Sequence, residues 1–331
     1  MPPVVRQYHN HIGDMGRTAY RLAHIRRLVW ARAGVWLSNQ LWQRGSGGLM
    51  ESLLTVRDLT VRYRGAGAAR GESVAGVSFD VARGEVLGVM GESGCGKTSV
   101  ALALLGLLSH EDAEVSGAVM FRGENLLALN ENSLRKIRGA AISMVYQEPG
   151  IALSPVMRVG TQIAEIARAH RKQDWKKCRA EAFAMLGRVG LPATERIFSA
   201  YPHQLSGGQL QRIVMAQALI CEPALLIADE PTASLDAQSR ADFVSLLREL
   251  KQNLGISLLL ISHTPEIQAS LADRIVVMKD GKIVEMGRFE DLYRKPSHPY
   301  TKALLARKGT PAPGPERDRS GARREHLVEA L

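Results

Sequence analysis

The rhythm of apolar and polar positions changes several times along the chain. From residue 53, "LLTVRDLTVRY" alternates apolar with polar side chains. "SVAGVSFDV" does the same after a glycine-rich stretch, Gly65 to Gly71. A period of two predicts half-buried strands joined by a turn. "EVLGVM" (85–90), "ALLIADE" (224–230) and "GISLLLISH" (255–263) are instead near-continuous apolar runs. Such runs predict parallel strands buried on both faces. Residues 160–190, 209–220 and 237–253 read as helices, with Ile163, Ile166 and Ala167 on one side of the first. Strands alternating with helices predict a parallel α/β core. "GAVMFRGENL" adds a strand and turn, and "RIVVMKDGKIVEMG" a hairpin turning at Asp280-Gly281.

The two ends have another texture. In residues 1–49, Tyr20, Leu22, Ile25, Leu28, Val29 and Trp30 are interleaved with Arg17, Arg21, Arg26, Arg27 and Arg32. Trp30, Trp36 and Trp42 recur every six residues, which is not a helical face. Gly45-Ser46-Gly47-Gly48 is a linker signal, and regular patterning starts after Met50. The expectation is a disordered segment, or translation that begins at Met50. A membrane-surface or partner helix and an Arg-rich targeting peptide are the competing readings. Residues 307–331, rich in Pro, Gly and charge, are expected to be a disordered tail.

Charge changes the picture only by where it sits. The formal net charge of the 331 residues is +10. Residues 1–49 hold seven Arg and one Asp, and residues 307–331 six basic and four acidic side chains. The middle is near neutral, which argues against nucleic acid as a partner. The three cysteines, Cys95, Cys178 and Cys221, form no C-x-x-C pair. Neither a disulfide framework nor a zinc site is indicated, and a reducing compartment is expected. No uncharged apolar run approaches the ~18 residues of a membrane span.

Candidate chemistry concentrates where apolar runs end. "GESGCGKTSV" (91–100) follows the strand 85–90 and precedes an apolar run, fitting G-x-x-x-x-G-K-[ST] at Gly91, Gly96, Lys97 and Thr98. Glycines let successive N–H groups point at an anion, and the helix N-terminus adds partial positive charge. Lys97 would reach the β- and γ-phosphates and Thr98 would offer a hydroxyl to Mg²⁺. Cys95 lies inside this loop, near a helix N-terminus that should lower its thiol pKa. Asp229 and Glu230 end a strand, where ligands of open α/β sheets gather. Asp229 suits a Mg²⁺ contact and Glu230 a base for attacking water. His263 ends the next apolar run and could donate to a terminal phosphate or simply cap the strand. Gln147, after "AISMVY", could bind Mg²⁺ or water, or cap its strand. "LSGGQ" (205–209) is a second glycine-serine loop before a helix. Two such cradles in one chain suit nucleotides sandwiched between two copies.

In this order, these segments resemble the ATP-binding subunits of ABC transporters over roughly residues 50–306. The resemblance implies a P-loop NTPase (RecA-like) parallel sheet core with an N-terminal antiparallel β subdomain and an inserted α-helical subdomain, about 148–212. It makes Gly91, Glu92, Ser93, Gly94, Cys95, Gly96, Lys97, Thr98 and Ser99 the Walker A loop and Tyr63 the aromatic on adenine. It makes Gln147 the Q-loop glutamine, and Ser206, Gly207, Gly208 and Gln209 the signature. Asp229 matches the Walker B aspartate, Glu230 the catalytic glutamate, Asp236 the D-loop aspartate and His263 the switch histidine. ATP and Mg²⁺ are the implied cofactors. "YQEPGIALSPVMRVGTQIAE", "YPHQLSGGQLQR" and "KPSHPYTKALL" resemble the oligopeptide, dipeptide and nickel importer branch, with a C-terminal extension at about 287–306. Many members of that branch carry a cysteine-rich segment after "HPYT"; residues 306–331 contain no cysteine, so no iron–sulfur cluster is expected. Thr264 stands where an acidic residue usually follows the switch histidine.

The resemblance implies an ATPase subunit powering an importer for peptides, nickel or a related solute, on the cytoplasmic side of the inner membrane. Its partners would be transmembrane permease subunits, a second ATP-binding subunit and, indirectly, an extracytoplasmic solute-binding protein. A soluble ABC-type ATPase in a multiprotein complex or on nucleic acid is the first rival, and a P-loop kinase the second. The signature and D-loop speak against the kinase.

Overall fold

The computed structural model describes residues 52–64 and 72–306. These belong to one compact unit, Met50–Leu331. The expectations for residues 1–49, for the glycine-rich stretch at 65–71 and for the tail at 307–331 lie outside the described residues.

The alternating segments form an antiparallel sheet. β1 (Ser52–Tyr63) pairs with β2 (Glu72–Ala82). After β3 (Val86–Met90) and α1 (Lys97–Leu104), β4 (Ala113–Phe121) returns to the other edge of β1, followed by the short β5 (Glu124–Asn125). The strand order is β2-β1-β4-β5. In β1 the alternation changes phase: Leu54 and Val56 are buried, then Leu59 and Val61. The register slips between Val56 and Leu59, where Asp58 takes φ 47°. The extra residue of this bulge returns the apolar side chains to the core face.

The continuous apolar runs form the second sheet. After α2 (Glu131–Ile137) comes β6 (Ile142–Val145). Five helices follow: α3 (Pro149–Ala152), α4 (Val159–His170), α5 (Trp175–Arg188), α6 (Glu195–Phe198) and α7 (Gly207–Leu219). The chain then runs through β7 (Leu225–Asp229), α8 (Ala237–Leu254), β8 (Ser257–Ile261), α9 (Pro265–Leu271), β9 (Arg274–Lys279) and β10 (Lys282–Arg288). It finishes with α10 (Phe289–Arg294) and α11 (Pro299–Leu305). The order is β10-β9-β3-β8-β7-β6, parallel except for the antiparallel pairing of β10 with β9. Asp280 (φ 48°) and Gly281 (φ 76°) both take the left-handed region, which a tight two-residue hairpin turn requires.

Burial explains why these strands lack a polar face. Every residue of β3, β7 and β8 is buried. Leu226, Ala228, Leu258 and Leu260 join the cluster formed with α4, α5, α7 and α8. Leu225, Ile227, Leu259 and Ile261 join the opposite cluster, with α1 and the antiparallel sheet. A smaller third cluster gathers Met90, Ile275 and Val277 against Phe289, Leu292, Leu304 and Leu305. Residues 289–305 thus pack against the strand that leads into the glycine loop. The Glu285 carboxylate fastens the same segment, accepting from the backbone N–H of Ser297 (2.8 Å) and His298 (3.1 Å).

Leu304 is 1 % exposed in that third cluster. Leu304→Ala is expected to cost about 2–5 kcal/mol of stability through lost burial and a residual cavity. A urea melt of the full chain measures it; a cost below about 0.5 kcal/mol would mean that α11 is not packed as described.

Candidate active site

The parallel register gathers the candidate residues on one sheet edge. Val89 of β3 lies opposite Ile261 of β8, Ile261 opposite Asp229 of β7, and Ala228 of β7 opposite Val145 of β6. Gly91, His263, Glu230 and Gln147 therefore leave four neighbouring strands at their carboxyl ends. The ladder continues past the strands: the Ser262 N–H donates to the Val89 carbonyl (3.2 Å) and the Glu230 N–H to that of Ile261 (2.9 Å).

The loop 91–96 turns directly into α1. Gly96, the N-cap, has φ 101°, and a Cβ there would lie 2.1 Å from the Ser73 carbonyl oxygen. Only glycine fits both the conformation and the space. Glu92, Ser93, Gly94 and Thr98 are exposed, whereas Cys95, Gly96 and Lys97 are buried. The first turn of α1 carries no acidic side chain, so its partial positive charge is not offset there. Lys97 Nζ donates to the carbonyls of Gly91 (2.8 Å) and Glu92 (2.9 Å). Its charge sits inside the loop, where an anion's oxygens would meet it. Ser99 Oγ lies 2.9 Å from Ser73 Oγ and 3.1 Å from Tyr63 Oη, which ties the end of β1 to the first turn of α1. Tyr63 remains 37 % exposed.

Asp229 is buried, and burial raises its carboxyl pKa; the Thr98 hydroxyl and Lys97 ammonium nearby oppose the rise, and the Glu230 carboxylate adds to it. Its Oδ1 is buried without a hydrogen-bond partner. An unsatisfied buried carboxylate oxygen beside a threonine hydroxyl is a hard-oxygen donor pair that fits a divalent cation. Among the described residues, no group of three His, Cys, Asp or Glu side chains could hold a metal by itself. Further ligands would have to come from Gln147, a bound anion or water.

Glu230 holds a left-handed backbone, φ 47°, unusual for a residue with a side chain. Its Oε1 accepts from the His263 backbone N–H (2.9 Å) and lies 2.8 Å from His263 Nδ1. The Glu230 side chain is largely buried and that of His263 mostly exposed. Nε2 of the histidine is therefore the nitrogen available to a ligand.

A second group forms elsewhere in the chain. Ser206 caps α7, accepting from the Gln209 N–H (3.3 Å), while Gln209 Oε1 accepts from the Ser206 N–H (3.0 Å). This capping box leaves the exposed Gly207 at a helix start. Asp236 caps α8 through the Ser239 N–H (3.0 Å) and hydroxyl (2.7 Å), and these bonds lower its pKa. A Cβ at Gly208 would lie 3.9 Å from Ser239 Oγ, so the two helix starts are neighbours. The hydrogen bonds of Ser206 and Gln209 close on each other rather than on the loop 91–96.

One expectation is corrected. The Cys95 thiol is 6 % exposed, and burial raises its pKa although Lys97 pulls the other way. Desolvation outweighs the helix N-terminus and makes this a poor nucleophile. Three contacts of the loop had no signal in the sequence pattern. Ser73 has no motif, the Gly281 N–H donates to the Cys95 carbonyl (3.2 Å), and Tyr300 Oη accepts from the Glu92 N–H (2.9 Å). "HPYT" marked the last segment but not its neighbour.

Comparison with known proteins gives the chain its family and fold relatives. Residues 74–233 match the family described as ABC transporter. The chain is 43% identical over 257 residues to the dipeptide transport ATP-binding protein DppD of Bacillus subtilis, covering 77% of this chain and 76% of that one. It is 41% identical over 284 residues to the glutathione import ATP-binding protein GsiA of Salmonella typhimurium, covering 84% of this chain and 45% of that longer one. Among solved structures, an ATP-binding cassette captured as a dimer with ADP and Pi superposes with a TM-score of 0.63 at 25% identity, covering 71% of this chain and 98% of that one.

The buried Asp229 has a stability consequence. A carboxyl whose folded pKa is raised binds its proton more tightly in the folded state, so its ionisation destabilises the fold as pH rises. Asp229→Asn is expected to raise the melting temperature at pH 7.5 by about 2–4 °C, the response to roughly 1 kcal/mol in a domain of this size. The gap should narrow as pH falls and the wild-type carboxyl protonates. Calorimetry across the pH range tests this; a lower melting temperature for the variant would show the carboxylate to be net stabilising.

Proposed function

The chain belongs to the ABC transporter family of ATP-binding proteins, and we propose that its two constellations serve one ATP hydrolysis shared between paired subunits. It is an ATP-binding and ATP-hydrolysing subunit that powers an importer. A peptide solute is the reading favoured by its likeness to DppD and GsiA. The observation that carries this function is the single sheet edge on which the Lys97 loop, Asp229 and the Glu230–His263 pair meet.

In this reading the amides of residues 91–98 cradle the phosphates, and Lys97 exchanges carbonyl partners for phosphate oxygens. The ring of Tyr63 stacks on adenine. Thr98 and Asp229, with Gln147, would hold Mg²⁺, which offsets phosphate charge when bound. Glu230 accepts a proton from the attacking water. His263 Nδ1 keeps the Glu230 carboxylate in place, and Nε2 faces the terminal phosphate. Ser206–Gln209 and Asp236, whose side-chain hydrogen bonds do not reach the loop 91–96, form the opposite wall for the nucleotide of a second subunit. The working ATPase domain is residues 50–306, the helices at about 148–212 respond to its motion, and residues 287–306 form the branch extension.

Ile151 (51 % exposed) and Val156 (79 %) lie just after Gln147. This apolar stretch suits a permease contact at the cytoplasmic face of the inner membrane. Among the described residues, no helix is long and apolar enough to cross a membrane, so the pathway would belong to permease subunits. A solute-binding protein would act through them. The near-neutral charge of the middle of the chain gives no support to a nucleic-acid partner.

Glu230→Gln should retain MgATP binding within about threefold and lower turnover by about 10²–10⁴-fold, the usual loss of a general base. Turnover within about threefold of wild type would remove Glu230 from that role. Affinity purification from membranes should also recover multi-spanning proteins, and peptide rather than Ni²⁺ should stimulate ATPase activity of the reconstituted complex.

A further inference from the structure

The C-terminal segment reaches the phosphate loop through one side chain. The Glu92 N–H donates to Tyr300 Oη (2.9 Å). The carbonyl of that same peptide unit, on Gly91, accepts from Lys97 Nζ (2.8 Å). One peptide plane is therefore held at both ends, by a tyrosine from α11 and by the lysine of the loop. The tyrosine is itself fixed. Its N–H donates to His298 Nδ1 (3.2 Å), and Lys279 Nζ sits 5.3 Å from the centre of its ring. The Glu285 carboxylate holds the N–H groups of Ser297 and His298 before it. Leu304 and Leu305 behind it share a cluster with Met90, the residue that precedes Gly91.

We propose that Tyr300 is a positioning residue for the phosphate loop: its hydroxyl sets the Gly91–Glu92 peptide plane, and through it the carbonyl that holds Lys97. The proposal rests on the reading that this loop binds MgATP. A rotated peptide plane would turn the Gly91 carbonyl away from Nζ and alter the backbone cradle, while the fold around α11 stays intact. Nucleotide affinity is then tuned from a segment that touches no phosphate.

Tyr300→Phe removes the hydroxyl and keeps the ring with its apolar and cationic contacts. In full-length chain carrying Glu230→Gln, which halts turnover, MgATP titration by calorimetry should show a dissociation constant raised about 3- to 10-fold, the range for one lost hydrogen bond. Amide exchange should quicken in peptides spanning residues 90–97 and stay unchanged in those spanning α11, with the melting temperature unaltered. In the otherwise wild-type chain, KM for ATP should rise while kcat at saturation holds within about twofold. An unchanged dissociation constant would overturn the proposal. So would weakened binding together with a lower melting temperature and faster exchange across α11, because Tyr300 would then be a packing residue. If the parent chain bound no MgATP, the nucleotide reading would fall. The exchange at residues 90–97 would still decide the tyrosine's role: quickened supports it, unchanged overturns it.

Discussion

The parallel ladder from β3 through β8 to β7 sets Val89 opposite Ile261 and Ile261 opposite Asp229. A shift of one residue in either pairing would move Asp229 and the residues beyond the strand ends to the wrong side of the sheet. The register is protected by burial on both faces, since each strand sends alternate side chains into two different clusters. Chemistry at this edge is therefore only as well aligned as the hydrophobic core beneath it. The backbone bonds of Ser262 and Glu230 carry that alignment a step past the strands, into residues that are no longer sheet.

Several groups at the edge are held against their own preferences. Asp229 is ionisable and buried, with one oxygen unpartnered. Lys97 is a buried ammonium held by carbonyls. Glu230 keeps a left-handed backbone, a conformation that costs of order 1–3 kcal/mol. Left to local preference, each would relax. They persist because the surrounding contacts over-determine them: Ser73 leaves no room for a side chain at residue 96, and the His263 N–H and ring fix Glu230 from two directions. A site arranged this way has its charges in place before a ligand arrives, so less reorganisation accompanies the reaction.

Much of this was legible in the sequence because it depends on local pattern. Apolar runs marked the buried strands, and Asp280-Gly281 marked the hairpin. The glycines and lysine of 91–97 lie contiguous, so their grouping did not depend on the fold. The bulge at Asp58 was overlooked: "RD" puts two polar residues in a row and shifts the phase of the alternation, but only the strand register shows that an extra residue absorbs the shift. The Glu230–His263 contact was missed because the residues are 33 apart and each had a separate reading as a strand-end group. Cys95 was misjudged for another reason. Sequence places it at a helix start, but only packing shows that burial outweighs the helix dipole. The Tyr300 contact spans 208 residues and has no periodic signature at all.

The two constellations are joined within the chain by a single run of elements. α7 starts at the Ser206 cap and leads through five residues to β7, which ends at Asp229; six more residues reach the Asp236 cap of α8. These links are too short to absorb much displacement, and both helices share the cluster that buries one face of β7. The start of α7 and the Asp229–Glu230 strand end are thus joined by shared packing as well as by short connections. In the proposed reaction the same element that presents the opposite wall to a partner's nucleotide also anchors the acid residues of its own site. Occupancy of one site then bears mechanically on the other, and a pair of such chains has reason to close and open as a unit.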